Sequence, residues 1–191
     1  DDHRAWPDQT DADRDKLTEN YRALLASSDF AFVNCAPVQE AMHPYFADIQ
    51  LIPNGCERHA RPPAQVDSDA FREYCAISAP IIGFVGNLEK KIDIDLLRKI
   101  AERFAHCHLA LIGSTHANPD VLQLSALPNI RFYGVVPHGE VPAWAARFTV
   151  AVIPHIDGAL TRSMNPLKFY DYVTWGKPIV ATSIANIDRT I

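Results

Sequence analysis

From residue 80 onward the chain settles into a rhythm that few folds can satisfy. Short, continuously apolar runs alternate with amphipathic stretches. Ile81-Ile82-Gly83-Phe84-Val85-Gly86 is a strand running into a glycine turn, and residues 109–113, 130–134, 150–154 and 178–182 read as further strands. Between them, Leu96, Leu97, Ile100, Ala101 and Phe104 form a helical stripe, residues 141–148 read as a helix, and another helix begins at Asn165. A strand apolar at successive positions is buried on both faces, and alternation with helices calls for a parallel sheet. The expected class is therefore α/β, a Rossmann-like parallel sheet with helices on both faces. Ligands of such sheets bind beyond the carboxyl ends of the strands. Gly86, Gly113, Gly134, Pro154 and Asn165 all lie at or after those ends.

The first part of the chain is less regular. Residues up to 9 read as a loop, and residues 11–27 as a helix carrying Leu17, Tyr21, Leu24 and Leu25. Residues 30–34 read as a short buried strand, 37–46 as a helix, and 49–52 as a strand ending in the turn Pro53-Asn54-Gly55. The next two dozen residues, with Arg61-Pro62-Pro63 and several charges, suit a linker. At 191 residues there is room for one domain and part of another. The expected division is 1–55, the tail of one domain; 56–79, a linker; and 80–191, an incomplete second domain. A start at Asp1 without methionine and an end soon after a strand read as the edges of a fragment.

Composition excludes some classes. A net charge of -5 argues against a general nucleic-acid binder, which needs a basic face. No apolar run approaches a bilayer span. Cys35, Cys56, Cys75 and Cys107 are scattered without zinc-site spacing, which suits a reducing cytoplasm.

The segment 161–178 carries the most chemistry. Asn165 is a favourable N-cap, Pro166 suits the first helical position, Leu167, Tyr170 and Val173 recur at helical spacing, and Gly176 with Pro178 ends the helix. Lys168, with Arg162 just before, puts a cation near the positive end of the helix dipole, which disfavours it. A bound anion would reverse that sign and use the free amides. The plain alternative is a solvated lysine. Asp171, on a face shared with Leu167 and Lys168, is either a carboxylate accepting bonds from a diol such as ribose or a solvent-facing residue.

Other motifs read as structural. Gly83-Phe84-Val85-Gly86-Asn87 lacks the third glycine of a dinucleotide fingerprint, although a glycine turn still lets a ligand approach the backbone. Asp93-Ile94-Asp95 resembles paired metal-binding carboxylates but sits where a helix needs a cap, so no metal is assigned. Strand alternation sends His106 and His108 to one face and Cys107 to the other, which splits that candidate ligand set. His155, directly after a strand, is better placed, though a lone histidine there reads as a loop residue.

With these residues in view, the chain resembles a glycosyltransferase of the GT-B fold, in the family-4-like group. Asn165-Pro166-Leu167-Lys168-Phe169-Tyr170-Asp171-Tyr172, closing with Gly176-Lys177-Pro178-Ile179-Val180-Ala181-Thr182, is similar to that group's donor-site signature. Leu51-Ile52-Pro53-Asn54-Gly55, Gly83-Phe84-Val85-Gly86-Asn87-Leu88, Leu127-Pro128-Asn129-Ile130-Arg131-Phe132-Tyr133-Gly134 and Val150-Ala151-Val152-Ile153-Pro154 agree in order and approximate spacing. The resemblance runs from about residue 30 to residue 182. It implies two Rossmann-like domains, the second holding a nucleoside diphosphate sugar, the co-substrate of a reaction with no cofactor.

It also implies a donor site of Gly86, Asn87, Asn165, Pro166, Leu167, Lys168 and Asp171. Backbone amides at 165–167 and Lys168 would hold the diphosphate, and Asp171 the ribose. Ser163 stands where the group carries a first Glu, and Asn87 where it carries a basic residue. Catalytic groups of the first domain would lie before Asp1, so the fragment is expected to bind donor without transferring sugar. The implied acceptor is a hydroxyl of a saccharide or lipid-linked glycan, in polysaccharide or glycolipid synthesis, in the cytoplasm or peripherally at the inner membrane face. A GT-B-like epimerase or phosphorylase, and a non-catalytic nucleotide-binding module, remain as alternatives.

Overall fold

A computed structural model describes residues 3–5, 9–56 and 65–183. The linker turn at Arg61-Pro62-Pro63 and the residues after Ser183 lie outside the described residues. The chain divides into two compact units, the first Asp1–Gly55, Asp157–Leu167 and Ser183–Ile191, the second Cys56–Ile156 and Lys168–Thr182.

In the first unit, a 3-10 turn at His3–Ala5 lies within the span expected to be a loop. Helix α1 (Asp11–Ala26) follows, opened by a capping box in which the Thr10 hydroxyl accepts from the Asp13 amide and Asp13 accepts from the Thr10 amide. Strand β1 (Ala31–Val33), helix α2 (Ala36–Met42) and strand β2 (Ile49–Leu51) form a parallel unit with Ala31 opposite Ile49. Ala31, Cys35, Val38, Met42 and Ile49 make its core, with Tyr21, Leu25 and Phe46 against it. The strand expected to be buried is so on one face only: Ala31 is inside, whereas Phe32 is 59% and Phe30 78% exposed. A two-stranded sheet with helices on one side leaves its other face open.

The segment 157–167, which the expected division gave to the second domain, clusters with this unit and carries a short helix, α6 (Ala159–Arg162; α3 to α5 lie in the second unit). Two asparagines tie it down. Asn165 Nδ2 donates to the Asn34 carbonyl at 2.9 Å, and Asn54 Nδ2 donates to the Asn165 carbonyl at 2.7 Å. The Cys35 thiol donates to the Ser163 carbonyl at 3.2 Å.

In the second unit, the span expected to be linker contains helix α3 (Asp69–Cys75), capped by the Ser68 hydroxyl, which accepts from the Phe71 amide. Beyond it come β3 (Ile81–Val85), α4 (Ile94–Arg103), β4 (His108–Ile112), β5 (Ile130–Gly134), α5 (Val141–Ala146), β6 (Val150–Ile153), α7 (Leu167–Thr174) and β7 (Ile179–Ala181). All neighbouring strands are parallel, in the order β5-β4-β3-β6-β7. Strand order therefore reverses between β3 and β6, which marks a crevice at their carboxyl ends.

Both sheet faces are covered, as the apolar runs require. Ile82, Phe84, Leu109, Leu111 and Val152 pack with Leu97 and Ala101 of α4 and with Val121 and Leu124 of a 3-10 helix, Pro119–Ala126. Elsewhere in the unit an aromatic cluster joins Tyr74 of α3, Tyr133 of β5 and Trp144 of α5, with ring centroids 5.0 to 5.2 Å apart. A side chain on Gly83 would overlap the Phe148 ring, so glycine there sets how closely that ring packs.

Candidate functional site

The site is assembled from the strand ends of the second unit. Gly86 follows β3 with φ 132° and Gly113 follows β4 with φ 142°, both in the range that favours glycine. The two turns touch: a Cβ on Gly113 would overlap the Gly86 carbonyl. Gly86 N donates to Ile112 O at 2.9 Å, Leu88 N to Ser114 O at 2.8 Å, and Gly113 N to Gly134 O at 2.7 Å, lacing three strand ends together.

Against this bare backbone lies Lys168, from the first turn of α7. A Cβ on Gly86 would be 3.2 Å from Lys168 Cε and 3.4 Å from its Nζ, and the ammonium sits 5.2 Å from the centre of the Phe84 ring. Burial, then the neighbouring Lys91, lowers its pKa from 10.5 to about 8, with Glu89 and Asp171 acting the other way. Among the described residues no carboxylate comes within ion-pair distance of it. Tyr172, on the same helix, accepts through its hydroxyl from Val85 N at 2.9 Å and so fixes α7 to the end of β3.

Lys91 is a member of the site that the sequence reading missed. Its ammonium pairs with Glu89 at 2.7 Å, both side chains largely buried. Leu88, fully buried, anchors the loop, and Asn118 Nδ2 donates to the Glu89 carbonyl. The available signal was the charged run Glu89-Lys90-Lys91, three residues beyond the strand-end glycine Gly86. The loop then pairs with the end of β6: Asp93 N donates to Pro154 O, Ile156 N to Lys91 O, and Ile92 bridges antiparallel to His155.

That pairing buries His155, which is only 1% exposed and not the loop residue expected. Neither ring nitrogen has a hydrogen-bond partner among the described residues. Burial, then Lys168 and Lys91, pushes its pKa down to about 3, so the ring is neutral. Its backbone is held on both sides by Thr182, whose hydroxyl accepts from His155 N at 3.2 Å and donates to His155 O at 2.8 Å.

Of the predicted residues, the structure brings Gly86 and Lys168 together. Asp171, one turn beyond Lys168, is an exposed residue whose carboxyl is partly desolvated, which raises its pKa against the lowering influence of His138 and Lys168. Asn87 is exposed beside Gly86. Asn165, Pro166 and Leu167 belong to the first unit, and Asn165 is not the expected cap. Helix α7 starts at Leu167, so Pro166 precedes it, and the Asn165 amide is committed to Asn34. By contrast, Asp93 does cap α4, accepting from Leu96 N at 2.8 Å. His108 is also structural, its Nε2 2.9 Å from the Tyr133 hydroxyl. No group of three or more potential metal ligands occurs among the described residues.

Residues 79–191, more than half the chain, match the family described as glycosyl transferases group 1. The chain belongs to that family. A relative within reach of sequence comparison is the Bacillus subtilis (strain 168) protein described as the teichuronic acid biosynthesis glycosyltransferase TuaH, 24% identical over 111 residues, which are 57% of this chain and 28% of that one. Among solved structures, sucrose-phosphate synthase from Thermosynechococcus elongatus superposes with a TM-score of 0.64 at 20% identity, covering 92% of this chain and 45% of that one. Anabaena HepE in complex with UDP and glucose gives 0.60 at 16% identity, covering 91% and 50%. These structures are GT-B glycosyltransferases, so the group 1 chain has the expected α/β fold. It spans half or less of the length of these relatives.

Proposed function

We propose that this chain is the nucleotide-sugar-binding part of a glycosyltransferase that moves a sugar from a nucleoside diphosphate to a hydroxyl acceptor. The observation that carries the reading is Lys168, a partly buried ammonium without a carboxylate partner, laid on the bare Gly86 turn at the strand-order reversal. A desolvated cation is costly unless an anion joins it. Lys91, already oriented by Glu89, supplies a second cation close by. Together they suit the diphosphate, whose negative charge grows as the bond to the sugar breaks; positive groups fixed in place beforehand stabilise that charge. The two ammonium groups make a divalent metal unnecessary in this reading.

Asp171 is the group for the ribose diol, since a carboxylate accepts from both hydroxyls. Asn87 lines the entrance beside Gly86. Asn165, Pro166 and Leu167 lead into α7 directly before Lys168. The likeness to TuaH favours a saccharide or lipid-linked acceptor in polysaccharide synthesis, with the protein on the cytoplasmic side where nucleotide sugars are made. Among the described residues no helix is long and apolar enough to cross a membrane.

UDP is the first probe, because HepE has been seen with UDP and with UDP-glucose. Calorimetry should show UDP binding that persists in excess chelator and that Lys91→Ala weakens by about tenfold or more, the usual worth of a charge-assisted bond. Binding unaffected by that substitution, or abolished by chelator, would overturn the assignment.

A further inference from the structure

His155 is a buried polar group at this crevice that the proposed chemistry leaves unused. Its position is over-determined: Thr182 holds its backbone amide and carbonyl, and the antiparallel bridge to Ile92 holds the strand end. The backbone therefore has little freedom to swing the ring out to solvent. Yet the imidazole, 1% exposed, uses neither nitrogen. Buried polar atoms in native proteins are nearly always paired, so one orphaned residue with two such atoms asks for a partner of a particular kind.

The surroundings narrow the kind. The residue stands at the end of β6, next to the β3 end across which strand order reverses, and the charged groups acting on it are the ammonium groups of Lys168 and Lys91. A cationic partner is disfavoured there, and a carboxylate partner is not provided by the described residues. A neutral imidazole offers one N–H donor and one acceptor nitrogen. With the Lys91 loop paired to the backbone on either side of His155, the donor is matched by an oxygen anion that the lysines attract.

We propose that His155 donates a hydrogen bond to a phosphoryl oxygen of the nucleoside diphosphate held by Lys91 and Lys168. The inference rests on the nucleotide reading given above and adds to it a neutral donor. Because burial and the two ammonium groups keep the ring neutral down to about pH 3, this donor is unchanged across the physiological range.

The experiment compares wild type, His155→Phe and His155→Gln, using UDP and inorganic pyrophosphate as probes in calorimetry, with thermal unfolding measured on each protein. His155→Phe should lower affinity for both probes about tenfold or more, and His155→Gln, which keeps an N–H donor, should recover most of it. In wild type labelled with 15N-histidine, the His155 ring nitrogen signals should shift when pyrophosphate is added. This readout needs no variant to fold. If wild type binds neither probe, the nucleotide reading itself fails. If wild type binds both but His155→Phe binds equally well, or the ring signals stay fixed, that reading stands and the role of His155 is overturned.

Discussion

The two ends of helix α7 each carry a lysine, and the two are treated in opposite ways. At the exit, Gly176 turns the chain with φ 62°, and Lys177 N donates to Tyr172 O at 2.9 Å. The Lys177 ammonium then donates to the Ala146 carbonyl at 2.6 Å and more weakly to the Phe148 carbonyl at 3.3 Å. A cation is favoured at a helix C-terminus, and here it also satisfies carbonyls of the neighbouring α5 turn. At the entrance, Lys168 meets the unfavourable end of the dipole, loses water, and has no carboxylate within ion-pair distance among the described residues. One end of the helix is solved for stability and the other is left unsolved. The contrast separates a structural lysine from a ligand-binding one within ten residues of sequence.

The largest effect that could break this comparison is at Lys168 itself. Lys168→Ala should reduce UDP affinity by about 10- to 100-fold, following the strength of charge-assisted bonds, while leaving the unfolding temperature unchanged or higher. A variant that loses stability in place of affinity would erase the distinction. Between the two ends, Tyr172→Phe removes the partner of Val85 N and should cost about 1–3 kcal/mol in denaturant unfolding, as an unsatisfied buried donor does. Lys177→Ala is the mirror of the first substitution. It should cost about 1 kcal/mol of stability and leave UDP affinity within about twofold.

The pH dependence sharpens the contrast further. Folded Lys168 has its pKa near 8, below the ordinary 10.5, so between those values the unfolded chain binds more protons than the folded one. Stability should therefore rise from about pH 8 to pH 10.5, and Lys168→Ala should flatten that rise. UDP affinity should move in the opposite direction, falling as the free protein loses this charge above pH 8. His155 gives the acid counterpart. With its pKa held near 3 against an ordinary 6.5, stability should fall as pH drops from 6.5 towards 3, less steeply in His155→Phe.

Much of the second unit was legible because its constraints are local. The strand at 130–134 is found at its expected bounds, and Asp93 caps α4 as its position before an amphipathic stripe requires. Helix α3 was hidden because it is only seven residues long and follows a proline-rich, charged stretch. What makes it part of the unit is Tyr74, whose burial depends on Trp144, seventy residues later. The site divides in the same way. Gly86 and Lys168 were visible as a strand-end glycine and an ill-placed cation. Lys91 and His155 were not, because their placement depends on the pairing of residues 91–93 with residues 154–156, a contact between distant segments. Asn165 is placed by a distant contact in the same way: its Nδ2 donates to the Asn34 carbonyl, 131 residues away in sequence.

The most direct test is a crystal structure of this chain grown with UDP. The account predicts the diphosphate beyond the carboxyl ends of β3 and β6, with phosphoryl oxygens within hydrogen-bond distance of Lys168 and Lys91 and with the ribose hydroxyls at Asp171. A diphosphate bound elsewhere, with Lys168 still lying unliganded on Gly86, would contradict it.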